Sequence, residues 1–325
     1  MPEPLIVYTP ALSLEVREIA ERFRPPGFGF EIVPADQLAE ALRRADFLMG
    51  FVGHLPTEAL VAADSLKLVQ LMSVGYDTFN LAGAREARVP VSVNGGANAI
   101  AVAEHAIMLM LATLKHLTAL NTEVHAGGWR RGHSGDLKLY ELWHSTVGIV
   151  GMGRIGQQVA QRLRGWEARL TYYDPVRLPA EREADLGVTY LPLEALLAEA
   201  DVVTVHVPLS ETTRHLIDAR SLALMKPSAV LVNTSRGELV NEAELAAALR
   251  AGKIGGAGLD VFAQEPPAPD CPLFNVPNAI LTPHVAGPTW QSWPRRFENC
   301  FQNIARVAAG DPPLWVVPEL ADLID

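Results

Sequence analysis

Val147-Gly148-Ile149-Val150-Gly151-Met152-Gly153-Arg154-Ile155-Gly156 is the stretch on which the reading of this chain turns. A short apolar run reads as a buried parallel strand and drops into Gly-x-Gly-x-x-Gly. Gln157 to Leu163 then reads as an amphipathic helix. Gly151 allows a tight turn, Gly153 allows backbone to approach a pyrophosphate, and Gly156 allows the helix to pack close to the strand. The free N–H groups and positive dipole end of that helix suit phosphate. The next apolar run, Ala168 to Tyr173, ends at Asp174. A carboxylate there accepts from ribose hydroxyls and repels a 2′-phosphate, which favours NAD over NADP. Arg177 follows closely, and a solvated loop arginine explains it better than a phosphate ligand does.

Composition sets outer bounds. A chain of 325 residues, 49% hydrophobic and 20% charged, has room for two globular domains. Net charge is −10 and there is no basic block, so no nucleic-acid groove is expected. Two distant cysteines, Cys271 and Cys300, imply a reducing compartment and neither a disulfide framework nor a metal site. Met1-Pro2-Glu3-Pro4 opens no signal peptide. The apolar stretch Ala97 to Leu114 contains Glu104 and His105 and reads as a buried helix, not a membrane span. A cytoplasmic protein is expected.

Upstream of the glycine stretch, strands are expected at 5–8, 30–33, 47–51 and 66–71, with helices between them. This alternation implies a parallel sheet covered on both faces. The loop after the fourth strand, Met72-Ser73-Val74-Gly75-Tyr76-Asp77, is rich in small residues. Bare N–H groups there would receive a carboxylate. Locally, an ordinary turn with Gly75 chosen for its φ angle is the stronger reading. Asn98 to Ala126 reads as one long helix, and 130–145 as an irregular arm at a subunit contact.

Downstream, strands are expected at 202–207, 229–232, 255–261 and 279–281, which makes six in the cofactor domain. A last helix covers about 290–309 and is expected to cross back onto the N-terminal unit. The fold expected is therefore α/β, with two doubly wound parallel sheets. A Rossmann dinucleotide-binding domain, residues 98–288, is inserted into a smaller flavodoxin-like substrate domain of residues 1–97 and 289–325.

Arg236, Glu265 and His284 each follow the C-terminal end of an expected strand. In a parallel sheet those ends share one edge with the glycine loop. A planar, permanently charged guanidinium clamps a carboxylate and polarises a carbonyl. Histidine suits proton exchange near neutrality, and a neighbouring carboxylate fixes its tautomer and favours the imidazolium. Taken singly, each residue has a plain structural reading: an ion pair, a loop acid, a hydrogen-bonded histidine.

The glycine stretch, Asn233-Thr234-Ser235-Arg236-Gly237, Gly258-Leu259-Asp260-Val261-Phe262 with Glu265-Pro266, and Thr282-Pro283-His284 together resemble the NAD-dependent D-isomer-specific 2-hydroxyacid dehydrogenases. The resemblance runs from about residue 66 to 310. It implies that Arg236 orients substrate and that His284 is the acid/base paired with Glu265. It implies a backbone carboxylate site at Val74-Gly75, reversing the local reading. Asp260 would hold the nicotinamide carboxamide, Val207 and Thr212 would flank the adenosine, and Thr234 would lie near the nicotinamide ribose. The implied cofactor set also includes Arg154, Ile155, Ser235, Arg236, His284 and Gly287.

The resemblance further implies a homodimer through the cofactor domain. Small 2-keto and 2-hydroxy acids of the glyoxylate and hydroxypyruvate type are the implied substrates. The alternative is an NADH-responsive scaffold of the corepressor type on the same fold. Val74 counts against phosphite as substrate, and Glu265 against formate. His144 occupies a position where the family often has glycine. Trp290 and Trp293 read as packing residues of the last helix, ahead of a role in walling a substrate pocket.

Overall fold

The computed structural model describes residues 3–129, 137–276 and 278–324. The chain divides into two compact units, Met1–Asn98 with Pro288–Asp325, and Ala99–Gly287.

The first unit carries five parallel strands: β1 (Leu5–Thr9), β2 (Gly29–Ile32), β3 (Phe47–Gly50), β4 (Leu68–Leu71) and β5 (Val91–Ser92). Their order is β2-β1-β3-β4-β5, the flavodoxin-like arrangement. Alternate residues of a strand face opposite sides of a sheet, and the core follows that rule. Val7, Leu48 and Val69 enter one apolar layer. Ile6, Tyr8, Phe47, Met49 and Leu68 enter the other, with Phe297, Cys300, Phe301 and Ile304 of the helix Ser292–Ala308. The C-terminal helix thus covers one face of the N-terminal sheet. β5 and the helix Leu81–Glu86 were not anticipated from sequence; β5 is only Val91–Ser92, too short to show a period.

The second unit holds β6 (Thr146–Val150), β7 (Arg169–Tyr173), β8 (Val188–Tyr190), β9 (Val202–Val205), β10 (Val230–Asn233), β11 (Gly256–Leu259) and β12 (Ala279–Leu281). The order β12-β11-β10-β9-β6-β7-β8 is the doubly wound Rossmann pattern with one extra edge strand. It corrects the expectation of six strands. Val188-Thr189-Tyr190 escapes notice because three edge residues carry no readable alternation.

The helix Ala99–Leu114 is largely buried and lies on β11. A Cβ on Gly256 would sit 2.6 Å from Thr113 Cγ2, and one on Gly258 would sit 2.8 Å from Leu109 Cβ. The glycines of β11 therefore allow this close approach. The single long helix expected over Asn98–Ala126 is instead two, Ala99–Leu114 and Leu117–His125, bent by 63°. His116 adopts left-handed backbone, φ 48°, and ends the first run. No single described helix is long and apolar enough to cross a membrane, though this bent pair passes by length and composition alone. Residues 130–136 of the expected subunit arm lie outside the described residues.

Candidate active site

The order of β6, β7 and β9 creates a topological switch point, and the glycine loop sits on it. Gly151 has φ +99°, and its N–H donates to Tyr173 O at 2.8 Å. A Cβ on Gly151 would lie 2.6 Å from Val207 N, and one on Gly156 would lie 2.1 Å from Gly151 O. Only glycine fits either place. A Cβ on Gly153 would meet nothing within 4 Å. Gly153 caps the helix Arg154–Leu163 without a side-chain hydrogen bond, so the N–H groups that open the helix, around Arg154 and Ile155, lack a side-chain cap.

Asp174 ends β7 and grips the loop. Oδ2 accepts from Met152 N at 2.8 Å and Oδ1 from Val176 N at 2.9 Å. Arg177 is held by Glu183 at 2.8 and 3.0 Å and lies over the Tyr190 ring. The Arg177 and Tyr172 hydrogen bonds hold the Glu183 carboxyl down to about 2. Arg177 is therefore an exposed loop arginine, as expected, and is paired with Glu183.

Val207 is buried, and its carbonyl accepts from Ser235 Oγ at 2.6 Å. Thr212 is exposed, with Oγ1 3.0 Å from Ser210 Oγ. Thr234 Oγ1 is buried with no partner among the described residues, as is Nδ1 of His206. A buried hydroxyl left without a partner asks for one from a ligand. Together with the open face of Gly153, it makes this edge a fit for a dinucleotide.

The chemistry-bearing residues sit beyond three neighbouring strands. Arg236 follows β10, Glu265 follows β11 and His284 follows β12. Arg236 is half-buried, and Nη1 donates to Ser235 O at 2.7 Å. His284 Nδ1 lies 2.6 Å from Glu265 Oε2, and Glu265 Oε1 accepts from Phe262 N at 3.0 Å. His284 is held in left-handed backbone, φ 52°. Its own N–H donates to Asp260 O at 2.8 Å.

Asp260 follows the end of β11. Its side chain is fully buried. Oδ1 accepts from Thr282 Oγ1 at 2.5 Å and Val285 N at 3.0 Å, and Oδ2 accepts from Ala286 N at 2.9 Å. This carboxylate is engaged by the loop that bears His284. Gly287, just beyond it, is also buried.

Sequence reasoning missed Asn233. Its Nδ2 donates to Arg236 O at 2.8 Å, its Oδ1 accepts from Ser235 N at 3.0 Å, and its backbone O accepts from Asp260 N at 3.0 Å. One amide side chain shapes the arginine turn and ties it to β11. The only signal was an asparagine at a strand end, a residue type that bonds nearby backbone.

In the first unit, Val74 and Gly75 are half-exposed, and Ser73 Oγ donates to Gly75 O at 2.6 Å. Gly75 is not among the described glycines with positive φ, so an unusual φ does not account for it. Trp293 stacks on Phe297 at 5.9 Å and meets Phe51 edge-on, as a packing residue should. Trp290 is 60% exposed and does not pack the helix, contrary to expectation. His144 has φ 54°, left-handed backbone that glycine adopts at no cost, which fits the glycine that the resemblance implies at this place. Among the described residues no cluster of His, Cys, Asp or Glu has the makings of a metal site.

Residues 107–286 match the model of the D-isomer-specific 2-hydroxyacid dehydrogenase NAD-binding domain. The chain belongs to that family. A glyoxylate reductase of Korarchaeum cryptofilum is 37% identical over 299 residues, 91% of this chain and 90% of that protein. The crystal structure of a glyoxylate reductase from Paecilomyes thermophila superposes with TM-score 0.82 at 28% identity, covering 98% of this chain and 99% of that one. The NAD-complexed 2-hydroxyacid dehydrogenase of Lactobacillus delbrueckii ssp. bulgaricus gives TM-score 0.82 at 25% identity, covering 97% and 100%. This family member is thus an NAD-dependent oxidoreductase interconverting 2-keto and 2-hydroxy acids.

Proposed function

We propose that this dehydrogenase reduces small 2-keto acids, glyoxylate and hydroxypyruvate foremost, to D-2-hydroxy acids, and that Arg236, Glu265 and His284 carry the chemistry. The observation behind the assignment is the 2.6 Å contact of His284 Nδ1 with Glu265 Oε2 beyond the neighbouring strands β11 and β12. A carboxylate is an acceptor, so Nδ1 carries a proton and Nε2 is the atom left to exchange one with substrate. His284 gives that proton to the carbonyl oxygen during reduction and takes it back during oxidation. Arg236 binds the substrate carboxylate and polarises its carbonyl. Bound NADH supplies the hydride.

Gly151, Gly153, Arg154, Ile155 and Gly156 would hold its pyrophosphate, Asp174 the adenosine ribose, and Val207 and Thr212 the adenine end. Thr234, Ser235, Arg236, Asp260, His284 and Gly287 would lie about the nicotinamide half, Asp260 acting through the loop it bonds. Val74 and Gly75 would offer backbone N–H groups to the substrate carboxylate. We also infer a homodimer through the second unit. Exposed apolar side chains there, Met108, Leu117, Val124 and Trp143, support it. Sedimentation of a monomer at micromolar concentration would count against it.

The deciding experiment follows loss of NADH absorbance with glyoxylate, hydroxypyruvate, pyruvate, phenylpyruvate and 3-phosphohydroxypyruvate. Turnover of at least one, stopped by His284→Ala, is expected. Silence across the panel with NADH still bound would favour the scaffold.

A further inference from the structure

We propose that His105 is a positioning residue for the reaction, which through Thr282 and Asp260 holds the loop that carries His284. The proposal rests on the role given to His284 above. His105 lies on the helix Ala99–Leu114, far in sequence from the other two. Its Nε2 is 3.0 Å from Thr282 Oγ1 and 3.4 Å from Asp260 Oδ1.

The direction of this chain follows from inventory. A threonine hydroxyl has one hydrogen, and a carboxylate only accepts. Thr282 therefore gives its hydrogen to Asp260, at 2.5 Å. Its remaining capacity is to accept, so Nε2 of His105 must carry a proton and donate. The imidazole is 14% exposed and Asp260 not at all. Among the described residues no lysine or arginine pairs with Asp260; His105 is the one side chain that approaches as an ion-pair partner.

What Asp260 holds is the catalytic loop. Its carboxylate receives Val285 N and Ala286 N, and its carbonyl receives His284 N. Between them stands His284 in left-handed backbone, a conformation that surroundings must enforce for a residue with a Cβ. Partners that orient metal-binding side chains from behind typically matter by about ten- to a hundredfold when removed, and an effect of that order is expected for a histidine held in the same way.

The test compares His105→Leu, which cannot donate, with His105→Gln, whose amide can. His105→Leu should lower kcat about tenfold per NADH-binding site, with KM for the keto acid nearly unchanged. His105→Gln should restore most of it. Thr282→Val and Thr282→Ser form an independent pair with the same expected contrast, and they decide the matter if His105→Leu does not fold. Normal kcat in His105→Leu, or equal loss in both members of either pair, would overturn the proposal.

A readout without substrate is the ¹⁵N NMR signature of His105 in the intact enzyme, where a proton on Nε2 is expected. A ring protonated only on Nδ1 overturns the network. Failure of the wild type on every keto acid would instead overturn the function, leaving the NMR result to judge His105.

Discussion

Nδ1 of His284 lies 2.6 Å from Oε2 of Glu265, and the glutamate's other oxygen is tied to Phe262 N at 3.0 Å. The acid is fixed at one end by backbone and at the other by the imidazole. A ring oriented so firmly presents Nε2 in one direction. Acid–base groups of this kind typically contribute about 10²- to 10⁴-fold. His284→Ala should therefore cut kcat by that order and leave the NADH dissociation constant within a few-fold, as read by fluorescence titration. Unchanged kcat would remove histidine from the mechanism.

Coenzyme preference is expected to rest on the β7 side of the same C-terminal sheet edge. Asp174 presents a carboxylate at the end of β7, while Arg177, the nearby cation, is taken by Glu183. Asp174→Ala should raise the NADPH-to-NADH ratio of kcat/KM. Adding Glu183→Gln frees the guanidinium and should raise it further. A ratio that moves with neither change would place discrimination elsewhere.

The parts of this site that were legible in sequence are those whose reason is local. Gly151 and Gly156 are glycine because backbone crowds their Cβ positions, and their spacing says so in any chain. Arg236 and His284 follow strand ends, and strands announce themselves by apolar runs. The network of His105, Thr282 and Asp260 was invisible because its partners are distant in sequence and each residue is ordinary where it stands. The same holds for Asn233. β8 was missed for shortness, and the helix break at His116 because no glycine or proline marks the left-handed residue between two helical runs.

His206 gives the fold a pH dependence with a definite sign. Burial pushes its imidazole down to about 3 from an ordinary 6.5. As pH falls below 6.5, the unfolded chain binds a proton that the folded chain refuses. Stability is thus complete above about 6.5 and is lost as pH drops towards about 3. Glu183 acts in the same direction in a lower window, from 4.5 down to about 2. Urea midpoints measured from neutral pH downward should fall, and His206→Asn should flatten the upper part of that fall only. An identical slope in the variant would mean that His206 is solvated in the folded state.

Two glycines of the same loop should separate folding from binding. A methyl group on Gly156 would meet Gly151 O at 2.1 Å, backbone against backbone, with no side chain free to swing away. Gly156→Ala must spread the strand from the helix and should lower Tm and weaken NADH binding together. A methyl group on Gly153 meets nothing, and its φ of −72° suits alanine. Gly153→Ala should therefore unfold at the wild-type temperature. Its added methyl stands where the pyrophosphate must approach bare backbone, so NADH affinity should still fall, by about tenfold or more for the loss of ~1.4 kcal/mol of phosphate contact. Wild-type affinity in Gly153→Ala would show that the dinucleotide does not lie against this turn, and the assignment of the loop would have to be withdrawn even though the fold stood unchanged.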